Sequence, residues 1–160
     1  MVLTIECIFF CAIMFAISFL GTGTDERNLK SFKSYPLILQ EKLLKDDDYK
    51  DKIKPVNGWI TFIANFVLFL IVTCVFGIFI RKPQFMDNFV SLLILGEIVN
   101  LFDLCITDYI YFRNSKRVRF SKYQDKKYYN EMTNHVISFV KGALMFILIA
   151  IIDGALLMLF

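Results

Sequence analysis

Residues 88–112 read NFVSLLILGEIVNLFDLCITDYIYF, and this stretch decides the fold. It is longer than the roughly 20 residues that a helix needs to cross a bilayer, yet it contains Glu97, Asn100, Asp103 and Asp108. On an α-helix with Glu97 at zero, the other three side chains lie at about 300°, 240° and 20°. They therefore share one side of the helix. Because an aspartate at the centre of a membrane helix costs about 2.5–3.5 kcal/mol, we expect this side to face protein, water or a bound ion.

The composition of the chain agrees with a membrane protein. Hydrophobic residues make up 57% of the sequence and charged residues only 21%, whereas soluble domains are about 45–50% apolar. The sequence therefore predicts an all-α polytopic membrane protein, a four-transmembrane-helix bundle that forms a single transmembrane domain, 1–160. Stretches of spanning length lie at 2–20, 59–80, 88–112 and 135–160.

The first loop, residues 21–58, is the longest polar segment. From Pro36 onward its pattern is helical, because proline suits a first helical turn and Leu39 and Leu43 have helical spacing. We expect a short cytoplasmic helix on the membrane surface. The triplet at residues 46–48 is all aspartate. Such a run is more typical of a solvated surface than of a site for a divalent cation.

The third loop, residues 113–134, is basic and aromatic. It holds seven Lys and Arg residues and two acidic residues, and its aromatic side chains include Phe120, Tyr123, Tyr128 and Tyr129. Beside a membrane such a segment favours anionic lipid headgroups as a partner, and we expect no nucleic acid.

The distribution of basic residues predicts the orientation. The first loop has eight Lys and Arg residues, the third has seven, and the second, residues 81–87, has two. Because cytoplasmic loops carry an excess of Lys and Arg, we expect the first and third loops in the cytoplasm. Both termini then lie outside a multi-pass protein of the cell membrane.

In that orientation the polar side chains of the spans lie at successive depths. Glu97 is near the middle, Asp103 lies below it, and Asp153 belongs to the outer leaflet. Asp108 and His135 both lie at the cytoplasmic end, and adjacent helices pack about 8–10 Å apart, so we expect a direct or water-bridged contact between these two side chains. The candidate residues of an intramembrane polar path or binding site are Glu97, Asn100, Asp103, Asp108, His135 and Asp153.

Such a series suits cation- or proton-linked transport, because carboxylate oxygens replace hydration and buried carboxyl groups can exchange protons. The alternative is structural: the same groups hold helices together, and the chain is a non-catalytic accessory or scaffold subunit of a membrane complex. In either case we expect a homo-oligomer or a partner membrane protein, because four helices form a thin bundle around so many polar groups.

Enzyme classes are disfavoured. An intramembrane aspartyl peptidase needs two carboxylates that share a proton, but Asp103 and Asp108 point about 140° apart on an α-helix. No arginine lies within a span to hold glutathione, as in small four-helix lipid-modifying enzymes. The four cysteines all fall inside the predicted spans, and no CxxC or HxxxH spacing indicates zinc. We expect no cofactor, and the sequence leaves a metal ion undecided.

One segment resembles a known group of proteins. The run from Glu97 to Phe120 contains NLFD, a second aspartate at Asp108 and YFRNSKRVRF, and a histidine opens the next helix. Together with GTGTDERNLKSF after the first helix, this run resembles small four-helix bacterial membrane proteins that have no known activity. The resemblance covers most of the chain. It implies a bacterial cytoplasmic membrane and assigns no catalytic role to any residue.

Overall fold

The computed structural model describes residues 2–54 and 57–159; Phe160, the last residue of the predicted fourth span, lies outside them. It is 79% helical, and no strand occurs in the described ranges. The all-α prediction is therefore confirmed. The helices are α1 (Val2–Leu20), α2 (Asp25–Lys30), α3 (Leu37–Lys45), α4 (Gly58–Ile80), α5 (Phe85–Phe102) and α6 (Thr133–Leu156), with a π-helix (Asp103–Phe112) directly after α5. Short 3₁₀ turns lie at Phe32–Ser34, Lys50–Lys52, Lys116–Val118 and Lys126–Tyr129.

Four segments are long and apolar enough to cross a membrane: Val2–Leu20, Gly58–Ile80, Phe85–Phe112 and Lys126–Leu156. They overlap the four predicted spans and indicate a multi-pass membrane protein; the fourth segment begins and ends earlier than the predicted 135–160. The short helix expected after Pro36 is also present as α3.

The chain forms two compact units. The first unit comprises Met1–Ala12, Val56–Leu101 and Phe139–Phe160, and the second comprises Ile13–Pro55 and Phe102–Ser138. The single domain that was expected over 1–160 thus consists of two units, each of which contains parts of membrane-length helices.

The first unit is held together by phenylalanine rings and by close approach at glycines. Phe10 of α1 stacks on Phe76 of α4 with ring centroids 5.1 Å apart, and Phe69 meets Phe146 of α6 edge-on at 5.2 Å. Gly96 of α5 faces the Phe146 ring so closely that an added Cβ would lie 2.5 Å from Cδ1. The aromatic ring fills the space that the missing side chain leaves, so α5 and α6 approach closely at this point.

The second unit has an aromatic core built from both long loops. Tyr35 is fully buried, and its hydroxyl donates to the Val118 carbonyl at 2.8 Å. The Tyr129 hydroxyl accepts from the Phe120 amide at 3.0 Å and donates to the Tyr123 carbonyl at 2.8 Å. The buried core residues are Leu29, Tyr35, Leu39, Leu43, Tyr49, Phe112, Val118, Phe120 and Tyr129. The two loops therefore fold together as one layer, which we call the loop layer (residues 21–54 and 113–134).

Candidate functional site

The π-helix changes the geometry of the third membrane segment. It runs from Asp103 to Phe112, and its i→i+5 hydrogen bonds widen each turn, so that residues five apart point less far apart than on an α-helix. Asp103 and Asp108 are five residues apart, so they share a face. The angle of about 140° that an α-helix would give does not apply here. That angle was one reason to disfavour an intramembrane aspartyl peptidase, and it does not hold within the π-helix.

Asp108 and His135 are in direct contact. The Nδ1 atom of His135 lies 2.9 Å from Oδ2 of Asp108, and the two side chains are 6% and 15% exposed. At this distance the Nδ1–H group donates to the carboxylate. The contact that was expected between the third and fourth spans is therefore present.

Asp103 belongs to the same cluster. It interacts electrostatically with both Asp108 and His135. We call Asp103, Asp108 and His135 the acid–histidine cluster.

Two packing contacts position the histidine. The Phe112 ring lies edge-on to the imidazole with ring centroids 5.0 Å apart, and Phe112 is only 8% exposed. The neighbouring Asn134 donates from Nδ2 to the Tyr35 carbonyl at 2.8 Å. The start of α6 is thereby fixed to the buried aromatic core of the second unit, and His135 is held beside the π-helix.

The other predicted site residues lie in the first unit and make separate contacts. Asn100 donates from Nδ2 to the Phe139 carbonyl at 3.1 Å. Glu97 is half-buried. Asp153 is fully buried, and its Oδ2 atom lies 2.5 Å from the Thr73 hydroxyl. The structure thus assembles three of the six predicted residues into one cluster.

Sequence reasoning missed two polar residues. Thr73 was overlooked because its span carries no charge, and a hydroxyl gives no strong signal there. Glu6 of α1 is 7% exposed, and neither of its carboxylate oxygens has a hydrogen-bond partner within the described residues. Its burial could not be read from periodicity, because the helix is apolar on all sides.

Charged side chains of the loop layer link the first loop to the third. Asp25 accepts from the Ser121 amide at 2.9 Å and from the Tyr49 hydroxyl at 2.6 Å. Asp46 accepts from Lys122 at 3.1 Å and from the Tyr123 hydroxyl at 3.0 Å. The first aspartate of the 46–48 triplet is thus a structural anchor, not part of a solvated run.

These contacts also set the proton affinities of the loop layer. The backbone amide of Asp48 and the ammonium group of Lys122 hold the pKa of Asp46 below its ordinary value. In return, hydrogen bonds to Asp48 and Asp46 raise the pKa of Lys122. Both groups are therefore charged at neutral pH.

The chain matches no family model, no curated protein and no solved structure. The resemblance to small four-helix bacterial membrane proteins accordingly stays a sequence-based prediction. Among residues 2–54 and 57–159, no group of three His, Cys, Asp or Glu side chains could hold a metal ion.

Proposed function

We propose that this chain is a multi-pass protein of the cell membrane that works in proton-linked transport, with the acid–histidine cluster as a proton-exchange site. The observation that carries the proposal is the contact of 2.9 Å between His135 and Asp108 in a largely buried setting. An imidazole and a carboxylate at this distance can exchange a proton without moving far. Histidine is also the side chain whose charge changes most readily near neutral pH.

The partial exposure of Asp108 supports a role in proton entry. Its side chain is 15% exposed and that of His135 only 6%, so the carboxylate is the member of the pair that water reaches more easily. Asp103 interacts with both groups, and it can receive a proton that the pair releases. Ionisable residues inside membrane segments are rare, and proton relays are among the functional sites that they mark.

The proposal includes an orientation. Loops one and three carry fifteen Lys and Arg residues between them, and loop two carries two, so the loop layer lies in the cytoplasm and both termini lie outside. The acid–histidine cluster then exchanges protons with the cytoplasm. In this orientation α3 is a surface helix. Anionic headgroups are then met by the exposed lysines of the third loop that do not bind the first loop, Lys116, Lys126 and Lys127.

The test measures proton movement in proteoliposomes that contain a trapped pH-sensitive dye and are subjected to an imposed membrane potential. We expect the purified protein to carry protons inward faster than protein-free liposomes do. Asp108→Asn and His135→Gln should each reduce this flux roughly 100-fold, because a positioned acid or base contributes about that much to proton transfer.

The matched control is Asp87→Asn, which makes the same chemical change at an exposed position in the first turn of α5. This variant should keep the flux of the unmodified protein. Equal flux in all variants, with helicity by circular dichroism unchanged, would refute the assignment of the cluster.

The second candidate is a non-catalytic accessory or scaffold subunit of a membrane complex, either as a homo-oligomer or with a partner membrane protein. It is favoured by the loop layer, because two long loops with a shared aromatic core form a preorganised surface that transport does not require. Flux that never exceeds that of protein-free liposomes, together with copurification of a second membrane protein, would favour this candidate.

A further inference from the structure

Asp153 of α6 is the most completely buried acidic side chain that the structure describes. Its exposed fraction is 0%, and its Oδ1 atom has no hydrogen-bond partner within the described residues. Its Oδ2 atom lies 2.5 Å from Oγ1 of Thr73 on α4. Both residues belong to the first unit, and the acid–histidine cluster contains neither of them.

Three oxygen atoms lie near the Thr73 hydroxyl, and their distances from it indicate which groups carry the protons. Its oxygen lies 2.7 Å from the Phe69 carbonyl, 3.3 Å from the Leu70 carbonyl and 2.5 Å from the Asp153 carboxyl group. Distances of 2.5–2.7 Å between oxygen atoms lie within the range of O–H···O hydrogen bonds, each of which has one proton between its two oxygens. A threonine hydroxyl has one proton to donate, and a backbone carbonyl has none.

The proton count therefore requires a second donor. The hydroxyl proton of Thr73 accounts for the short contact to Phe69, which is the i−4 bond that threonine makes within helices. The contact between Thr73 and Asp153 then has a proton of its own if Asp153 supplies it. A carboxylic acid can supply it, and an ionised carboxylate cannot.

The charge environment gives the same result. Within residues 2–54 and 57–159, no Lys, Arg or His side chain forms an ion pair with Asp153. Cys74, next to Thr73, interacts with Asp153 electrostatically, and Gly154 packs against Phe85 and Phe89 of α5. An unpaired carboxylate among such groups would be costly, whereas a neutral acid is tolerated.

We propose that Asp153 and Thr73 form a proton-binding site in the first unit, in which Asp153 is a neutral carboxylic acid that donates to Oγ1 of Thr73. The ligand is a single proton. The site stands on its own geometry, so it holds whether or not the acid–histidine cluster takes part in transport.

Infrared difference spectroscopy of the purified protein tests the proposal directly. The spectrum of the unmodified protein minus that of Asp153→Asn should contain the carbonyl band of one protonated carboxylic acid at neutral pH. Thr73→Val, which removes the accepting hydroxyl, should shift this band without abolishing it, and Thr73→Ser should restore its position. Asp87→Asn should give no such difference band.

Labelling with a hydrophobic carbodiimide provides a second measurement, because such reagents modify carboxyl groups that carry a proton within the membrane. Mass spectrometry of the peptide that contains Asp153 should show the adduct, and this adduct should be absent from Asp153→Asn. A difference spectrum with only carboxylate bands would show that the residue is ionised and overturn the proposal. Asp108→Asn and His135→Gln should leave the band and the adduct unchanged, which separates this site from the proposed transport function.

Discussion

At the scale of single residues, Tyr35 shows how the second unit combines burial with hydrogen bonding. Its ring lies 4.8 Å from that of Phe112 and 5.1 Å from that of Phe120, and its hydroxyl donates to Val118. Burial raises the pKa of this phenol well above its ordinary value, so the hydroxyl remains a donor. The sequence did not indicate this role, because Tyr35 lies in a polar loop and its partners are about 80 residues away.

Tyr35→Phe keeps the ring and removes the hydroxyl. The Val118 carbonyl then loses a buried donor, and we expect the free energy of unfolding to fall by about 1–2 kcal/mol. The measurement is denaturant unfolding in detergent, followed by tyrosine fluorescence. Tyr109→Phe is the matched control, since that ring is 52% exposed and the variant should unfold as the unmodified protein does. Equal stability of both variants would show that the buried hydrogen bond contributes nothing net.

The stability of the loop layer should depend on pH through Asp46. Because its pKa is lowered by the Asp48 amide and by Lys122, the folded state favours the ionised form more than the unfolded state does. The resulting stabilisation is present above the unfolded pKa and is lost as pH falls through the folded pKa. We therefore expect the unfolding midpoint of the unmodified protein to decrease as the solution becomes acidic.

The comparison is Asp46→Asn, which cannot ionise. At neutral pH this variant should unfold at a lower denaturant concentration than the unmodified protein, and the difference between the two should shrink in acid. Asp47→Asn serves as the control, since the Asp47 side chain is 87% exposed. A difference between Asp46→Asn and the unmodified protein that stays constant with pH would contradict the assignment.

At the scale of helices, the sequence predicted the positions of the spans but not the conformation within the third. The polar positions from Glu97 to Asp108 were interpreted with α-helical angles throughout, and this was correct only as far as Phe102. In a π-helix each amide donates to the carbonyl five residues earlier, whereas in an α-helix it donates to the carbonyl four residues earlier. The pattern of hydrophobic side chains does not show which of the two bonds forms. The contact of Asp108 with His135 was nevertheless predictable, because both residues lie near the same end of adjacent spans.

Packing between α5 and α6 depends on a glycine. A Cβ atom at Gly96 would lie 2.5 Å from Cδ1 of the Phe146 ring, which is only 3% exposed. Gly96→Ala should therefore destabilise the first unit by about 1–3 kcal/mol through overpacking. The change in unfolding free energy, measured by denaturation in detergent, checks this value.

Gly58→Ala is the natural control for this substitution. Nothing lies within 4 Å of a Cβ at Gly58, the first residue of α4, and alanine has the higher helix propensity. This variant should be as stable as the unmodified protein or slightly more stable. If Gly96→Ala were equally harmless, the close approach of α5 and α6 at Phe146 would have no energetic importance.

At the scale of the whole molecule, composition was sufficient to predict four spans, because each is a long apolar run bounded by polar loops. The loop layer could not be predicted. Its anchors join residues far apart in the sequence, such as Asp25 with Ser121 and Asn28 with Arg117, and no periodic pattern reports such pairs. The third loop was expected to meet anionic headgroups, and the sequence did not show that its aromatic residues Phe120 and Tyr129 are buried in the core of the second unit.

The layer provides well-placed positions for testing the orientation of the chain. Ser31 and Ser121 are exposed, so a cysteine at either position, in a cysteine-free background, should react with a thiol reagent once membranes are opened. In intact cells an impermeant reagent should label neither, because the proposed orientation, based on the excess of basic residues, has both loops in the cytoplasm. Gln84→Cys, at an exposed position of the second loop, should be labelled without lysis. Labelling of the first two before lysis, with protection of the third, would show that the chain has the opposite orientation and that the acid–histidine cluster faces the outside.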